Sequence, residues 1–168
     1  MNQLSSIQPF APAVEFYHLP AVRIIGREVR SGGQLGNTAP QLWGEMYASG
    51  AMDTLLSLPQ IVDKCTFGWT SDYDPATDTF CYMVCVMTPA DTPVPDGMTG
   101  RDIPATDCAV GLFGEDVMQT VARAESVGYA PNWELCPWNA EVNFAAEEEN
   151  PPRQNCMPWR SLVPVKPL

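Results

Sequence analysis

Positive charge is scarce in this chain: nine Lys and Arg face twenty Asp and Glu, a net charge of −11. Such a surface repels phosphate backbones and offers no basic stripe for counterion release, so direct nucleic-acid binding is not expected. Histidine is scarcer still, with His18 standing alone, and the six cysteines (Cys65, Cys81, Cys85, Cys108, Cys136 and Cys156) form no CxxC pair. Zinc therefore finds neither its ligands nor its spacing, and no cofactor of any kind is expected. Long apolar runs are missing too: nothing approaches the roughly 18 residues of a membrane span. The N-terminal MNQLSSIQPFAPAVEFYHLP has neither the basic nor the apolar region of a signal peptide, so the expectation is a cytoplasmic protein that does not engage a membrane.

What the sequence does hold is enough apolar material for one core: 168 residues, 45% of them hydrophobic. Most cysteines sit in runs such as FCYMVCVM and DCAVGLF, where a reduced thiol behaves as a small buried hydrophobe, so free thiols are expected. His18, in EFYHLPAV with no second ligand nearby, reads as a packing or hydrogen-bonding residue. The excess of acid reads mainly as a device for solubility, with attraction of cations as a secondary effect.

The pattern along the chain repeats. AVRIIGREVRS, Ala21 to Ser31, reads as a strand ended by Gly32-Gly33. NTAPQLWGEMYASGAMDTLLSLP reads as a helix, capped by Asn37 or Thr38 with Pro40 in its first turn and with Leu42, Trp43, Met46 and Tyr47 at helical spacing. CTFGWTSDYDPATDTFCYMVCVMT reads as a hairpin, and the proline-rich stretch from Ala90 to Gly97 as a linker. The second half then supplies strand CAVGLFG, helix EDVMQTVARAESVGY, strand AEVNFAA, the acidic loop EEENPPRQN and strand WRSLVPVKP. Within that helix, Val117, Val121, Ala124 and Val127 form an apolar stripe, Asp116 suits the N-terminus and Gly128 the stop. Two β-α-β-β units in tandem are expected, about 20–90 and 97–168, within one domain whose residues 1–19 are an extension.

Several short motifs in the same order resemble the GyrI-like, or AraC-type effector-binding, domain family. They are Pro95-Asp96-Gly97-Met98, Ile103-Pro104-Ala105, Cys108 to Phe113, Ala140-Glu141-Val142-Asn143 and Val163 to Pro167. The likeness runs from about Ala21 to the end, AVRIIGREV and LWGEMYASG included. It implies an α+β fold in which tandem pseudo-twofold β-α-β-β repeats form an antiparallel sheet, with helices on one side and a ligand cleft between the repeats. Many family members are the sensing half of helix-turn-helix regulators. Too little sequence precedes Ala21 for such a unit, so the resemblance implies a stand-alone sensor or sequestering domain, with a transcriptional regulator as a partner to be considered. One departure concerns the position after Glu141-Val142, where the family carries an aromatic and this chain carries Asn143, with Phe144 one place later.

The resemblance also implies a cleft glutamate that pairs with lipophilic cations, and Glu141 stands at the matching place. Glu134, in NWELC, is its rival because the spacing from Gly128-Tyr129 to Glu141 is longer than the family's. A carboxylate in an apolar pocket is costly to keep ionised, and an incoming cation relieves that cost while aromatic rings add cation–π attraction. Rings able to wall such a cleft are Trp43 and Tyr47 of the first helix, Trp69 and Tyr82 of the hairpin, and Phe113, Trp138 and Trp159 of the second half. On a regular strand Glu141 and Asn143 face one way and Val142 and Phe144 the other, so one pair is expected to face the layer of helices and the other the cleft. The acidic run Glu147-Glu148-Glu149 reads as a solvated loop.

Three functions compete on these residues. The first is a binding module for lipophilic, cationic small molecules that performs no chemistry. The second is a hydrolase of electrophilic small molecules using the cleft glutamate, disfavoured by the lack of a His partner or a nucleophile motif. The third is a protein-interaction module such as a gyrase modulator, compatible with the charge but localised by nothing.

Overall fold

The computed structural model describes residues 15–144 and 159–168. The strands are β1 (Glu15–Leu19), β2 (Val22–Gly32), β3 (Cys65–Asp74), β4 (Thr79–Pro89), β5 (Thr99–Ile103), β6 (Thr106–Val110), β7 (Tyr129–Pro131), β8 (Trp138–Phe144) and β9 (Trp159–Pro167). The helices are α1 (Ala39–Ala48), α2 (Ala51–Leu56) and α3 (Val117–Glu125). All strands join one antiparallel sheet in the order β1-β6-β9-β8-β3-β4-β2-β5, with β7 attached to β9.

That order is symmetric about the pairing of β3 with β8. Going outward on one side come β4, β2 and β5; on the other come β9, β6 and β1. Each half runs strand, helix, strand, strand through the chain, so the two β-α-β-β units expected from the sequence are present as pseudo-twofold mates. The central register sets Phe67 opposite Val142 and Gly68 opposite Glu141.

Alternation along the central strands decides what each face buries. Phe67, Trp69, Met83, Cys85, Val142 and Leu162 fill one face, where Leu19 and Val22 join them. The curled sheet thus closes over its own side chains. On the opposite face, α1 and α2 lay Leu42, Met46, Met52 and Leu55 on Ile25, Val84 and Val86, while α3 lays Val121 and Ala124 on Ala109, Val163 and Val165. Both helical layers are therefore on one side of the sheet.

Local chemistry explains most boundaries. The single helix expected over Asn37 to Pro59 is two, because Gly50 adopts a left-handed conformation (φ +75) that a helix interior cannot contain. Asp116 caps α3 in a reciprocal capping box with Gln119. Val127 falls after the end of α3 and is 60% exposed, so it does not complete the apolar stripe. Gly128 (φ +92) makes the stop.

Several strands also differ from the sequence reading. The last five residues of the stretch taken as an extension form β1, paired with β6, where His18 Nδ1 lies 2.8 Å from Asp107 Oδ1. Their partner is about ninety residues away, so no local pattern announces the pairing. The short β7 and the strand β5, which pairs with β2, were also not assigned by the pattern. Cys65, Cys81, Cys85, Cys108 and Cys136 are buried free thiols; Cys156 and the run Glu147 to Glu149 lie outside the described residues. No helix among the described residues is long and apolar enough to cross a membrane.

Candidate functional site

The gap between α1 and the sheet is a cavity of about 540 Å³, within the roughly 300–1,000 Å³ typical of small-molecule sites. From the sheet come Thr70, Phe80, Tyr82, Glu141 and Asn143; from α1 and the residues leading into it come Asn37, Ala39, Pro40, Trp43 and Tyr47. The helix divides its apolar stripe to make this wall. Leu42 and Met46 turn into the sheet and are buried, while Trp43 and Tyr47, one position on, face the cavity and stack with centroids 6.5 Å apart.

A polar relay crosses the cavity. The Trp43 indole N–H donates to the Tyr82 hydroxyl oxygen at 2.9 Å, and the Tyr82 hydroxyl stands close enough to the Glu141 carboxylate to favour its ionised form. Glu141 is accessible from the cavity, yet the protein atoms around it thin its hydration. Burial pushes its pKa above the ordinary glutamate value, and the Tyr82 hydroxyl pulls part of the way back. Burial also raises the Tyr82 phenol, against the Trp43 hydrogen bond, and the neighbouring carboxylate raises it further. Among the described lining residues there is no Lys, Arg or His. The cavity therefore presents a negative group to four aromatic rings and supplies no cation of its own.

Gly68 makes the relay sterically feasible. A Cβ at this position would overlap the Tyr82 hydroxyl oxygen and stand 3.2 Å from Glu141 Oε2. Gly68→Ala is therefore expected to push Tyr82 off the carboxylate. Because the hydroxyl lowers the Glu141 pKa, its displacement moves the pH at which the carboxyl ionises upward. A titration of the carboxyl by NMR, native against variant, checks the direction.

The sequence-based candidates separate into two groups. Trp43, Tyr47, Tyr82 and Glu141 line this same cavity. Trp69 and Trp138 do not: they point to the other face of the sheet, 1% and 5% exposed, and stack with centroids 4.2 Å apart. Strand parity is the reason: Trp69 is one position from Thr70, and Trp138 is three positions, an odd number, from Glu141. Phe113 lies beyond β6, 45% exposed, with the Arg160 guanidinium 5.4 Å from its ring centre. Trp159 pairs with Asn143 on the neighbouring strand and is partly buried, outside the cavity lining. Glu134 sits in the loop before β8, its side chain 81% exposed and 3.5 Å from the Lys166 ammonium, so it is Glu141 that lines the cavity. Phe80 was missed, although it precedes Tyr82 by two positions on β4 and alternation alone places it on the same face. Thr70 and Asn37 gave no sequence signal.

A family model, described as integron-associated effector binding protein, matches residues 15–142. The chain belongs to this family, a GyrI-like effector-binding family, and is thereby a small-molecule-binding domain. No curated protein matches the chain in sequence. Among solved structures, SAV2435 bound to tetraphenylphosphonium has a TM-score of 0.63 at 11% identity, over 91% of this chain and 93% of that one. A putative bacterial transcription regulation protein from Staphylococcus aureus MU50 has a TM-score of 0.58 at 12% identity, over 91% and 97%. A hydrolase from Listeria innocua has a TM-score of 0.53 at 15% identity, over 96% of both chains. At such identities the likenesses establish the fold alone, an antiparallel curled sheet with a few helices.

Proposed function

We propose that the protein captures lipophilic organic cations in the cavity between α1 and the sheet, with Glu141 as counter-charge, for drug sensing or sequestration in the cytoplasm. The observation that carries this reading is a carboxylate at the wall of an aromatic cavity whose described lining includes no basic side chain. A flat or propeller-shaped cation entering there replaces lost hydration of Glu141 by direct attraction and places its charge against ring faces. A neutral guest of the same shape gains the contact area without relieving the carboxylate, and an anion is repelled. The tetraphenylphosphonium complex of SAV2435 is in keeping with this reading. A transcriptional regulator acting through the domain would supply the DNA contacts itself, since a net charge of −11 opposes them here.

The test is titration of the protein with lipophilic cationic dyes and size-matched neutral analogues, followed by tryptophan quenching, which Trp43 in the cavity wall reports. Saturable binding confined to the cations is the expected result; equal binding of neutral analogues removes the electrostatic half of the reading.

One arrangement favours a second reading. A carboxyl with a raised pKa beside a phenol in a cavity has the form of an acid–base pair, and one fold neighbour is a hydrolase. Turnover of an electrophilic ester or epoxide that disappears in Glu141→Gln would put this reading first.

A further inference from the structure

Glu141 is accessible from a cavity whose described walls hold four aromatic rings and no Lys, Arg or His. The other titratable groups on those walls are phenols, Tyr82 from β4 and Tyr47 from α1. The residues paired with Glu141 on the flanking strands, Gly68 on β3 and Ser161 on β9, carry no charge. A phenol beside a carboxylate favours its charge without cancelling it, so ionised Glu141 stays uncompensated in surroundings that make the charge costly. A proton on Glu141 or a positive guest removes that cost.

A positive guest need not arrive charged. A site that binds the cationic form of a base more tightly than its neutral form raises the pKa of the bound base by the logarithm of the ratio, because proton and guest are linked at one site. The accessible carboxylate adds to this effect for a nitrogen base, whose new N–H donates a charge-assisted hydrogen bond that a quaternary centre cannot make. The flat body of such a base suits the rings of Trp43, Tyr47, Phe80 and Tyr82. We infer that the cavity takes weakly basic aromatic nitrogen heterocycles, neutral in water at pH 7, and holds them as their N–H cations against Glu141. The proton comes from solvent and forms one N–H bond at the guest's lone pair, and no other bond changes. The inference rests on the cation reading of Glu141 and extends the guest class from permanent cations to compounds that travel uncharged.

Acridine is the probe, because it is mostly neutral at pH 7 and its cation absorbs at longer wavelength than the free base. N-methylacridinium, of nearly the same shape, is the permanently charged control. The absorption of acridine is followed across pH with and without saturating native protein, and calorimetry at pH 7 in buffers of differing ionisation enthalpy reads proton uptake. The midpoint for bound acridine is expected at least about 1.5 pH units above that of free acridine, the logarithm of a roughly 30-fold preference for cation over neutral guest. Net proton uptake accompanies binding. In Glu141→Gln the raised midpoint disappears; should that variant fail to fold, the native spectra decide by themselves. Acridine that does not bind, or that binds with its solution midpoint, while N-methylacridinium binds, overturns this inference and leaves the cation reading standing. Proton uptake with the spectrum of neutral acridine places the proton on Glu141 and also overturns it. Failure of N-methylacridinium to bind the native protein overturns the cation reading and this one together.

Discussion

Replacing Glu141 by Gln lowers the affinity for lipophilic cations by roughly 30-fold, the low end of what removing one partner of a buried charge pair costs. The low end applies because the carboxylate is accessible from an open cavity, where water and salt screen it. Neutral analogues bind both proteins alike. In the native protein, cation affinity falls as pH drops through the Glu141 pKa. Burial has moved that pKa upward, so the loss begins at milder acidity than for an ordinary carboxylate. The Gln variant shows a flat profile over the same window. Calorimetric titration across pH checks both statements, and a Gln variant that binds cations as well as the native protein removes Glu141 from the mechanism.

The same substitution has an opposite effect on the empty protein. A carboxyl whose pKa is higher folded than unfolded binds its proton more tightly in the folded state. Its favourable contribution is complete below the unfolded pKa and is lost as pH rises through the folded pKa. At neutral pH the ionised Glu141 therefore destabilises the ligand-free fold, and Glu141→Gln melts higher there, with the difference vanishing in acid. Thermal melts at neutral and acidic pH decide the sign. Saturating cation reverses the order at neutral pH, since guest binding stabilises the native protein more than the variant.

Trp69→Ala lowers stability by about 3–5 kcal/mol, the usual cost of emptying a large buried aromatic site. The ring is fully buried against Trp138 and contributes nothing to the cavity lining. In a chain of 168 residues this corresponds to a fall in melting temperature of roughly 10 °C. The part of the variant that remains folded is expected to bind cations with affinity within about threefold of the native value, because the ring packs on the face of the sheet turned away from the cavity. Loss of binding in a sample that melts normally would instead place Trp69 in the site.

Part of the cavity lining was legible. The order of motifs singled out Glu141, and strand parity set Asn143 on its face and Val142 on the other. The expectation that helices and cleft take opposite faces failed, because α1 itself walls the cavity and the other face closes over its own core. Helical spacing marked Leu42, Trp43, Met46 and Tyr47 as a group. It could not say that the group splits, Leu42 and Met46 to the sheet and Trp43 and Tyr47 to the cavity, because a single helix has no knowledge of where its neighbouring layer ends. Asn143 was visible as a departure from the motif, but the burial of its amide nitrogen is a fact of packing.

What the sequence determined by itself is the alternation and capping that make strands and helices, the tandem repeat that pairs them, and the excess of acid over base. These follow from local periodicity and composition, which physical chemistry reads residue by residue. The tertiary structure decided the rest. Trp69 and Trp138, equal in kind to Trp43, were assigned to the core by which face their strands turned inward. Glu15 to Leu19 became an edge strand by finding β6. Gly68 became essential by lying beneath a tyrosine fourteen residues further along the chain. Each of these outcomes depends on contacts between residues distant in sequence, and a cavity exists only where such contacts leave a space.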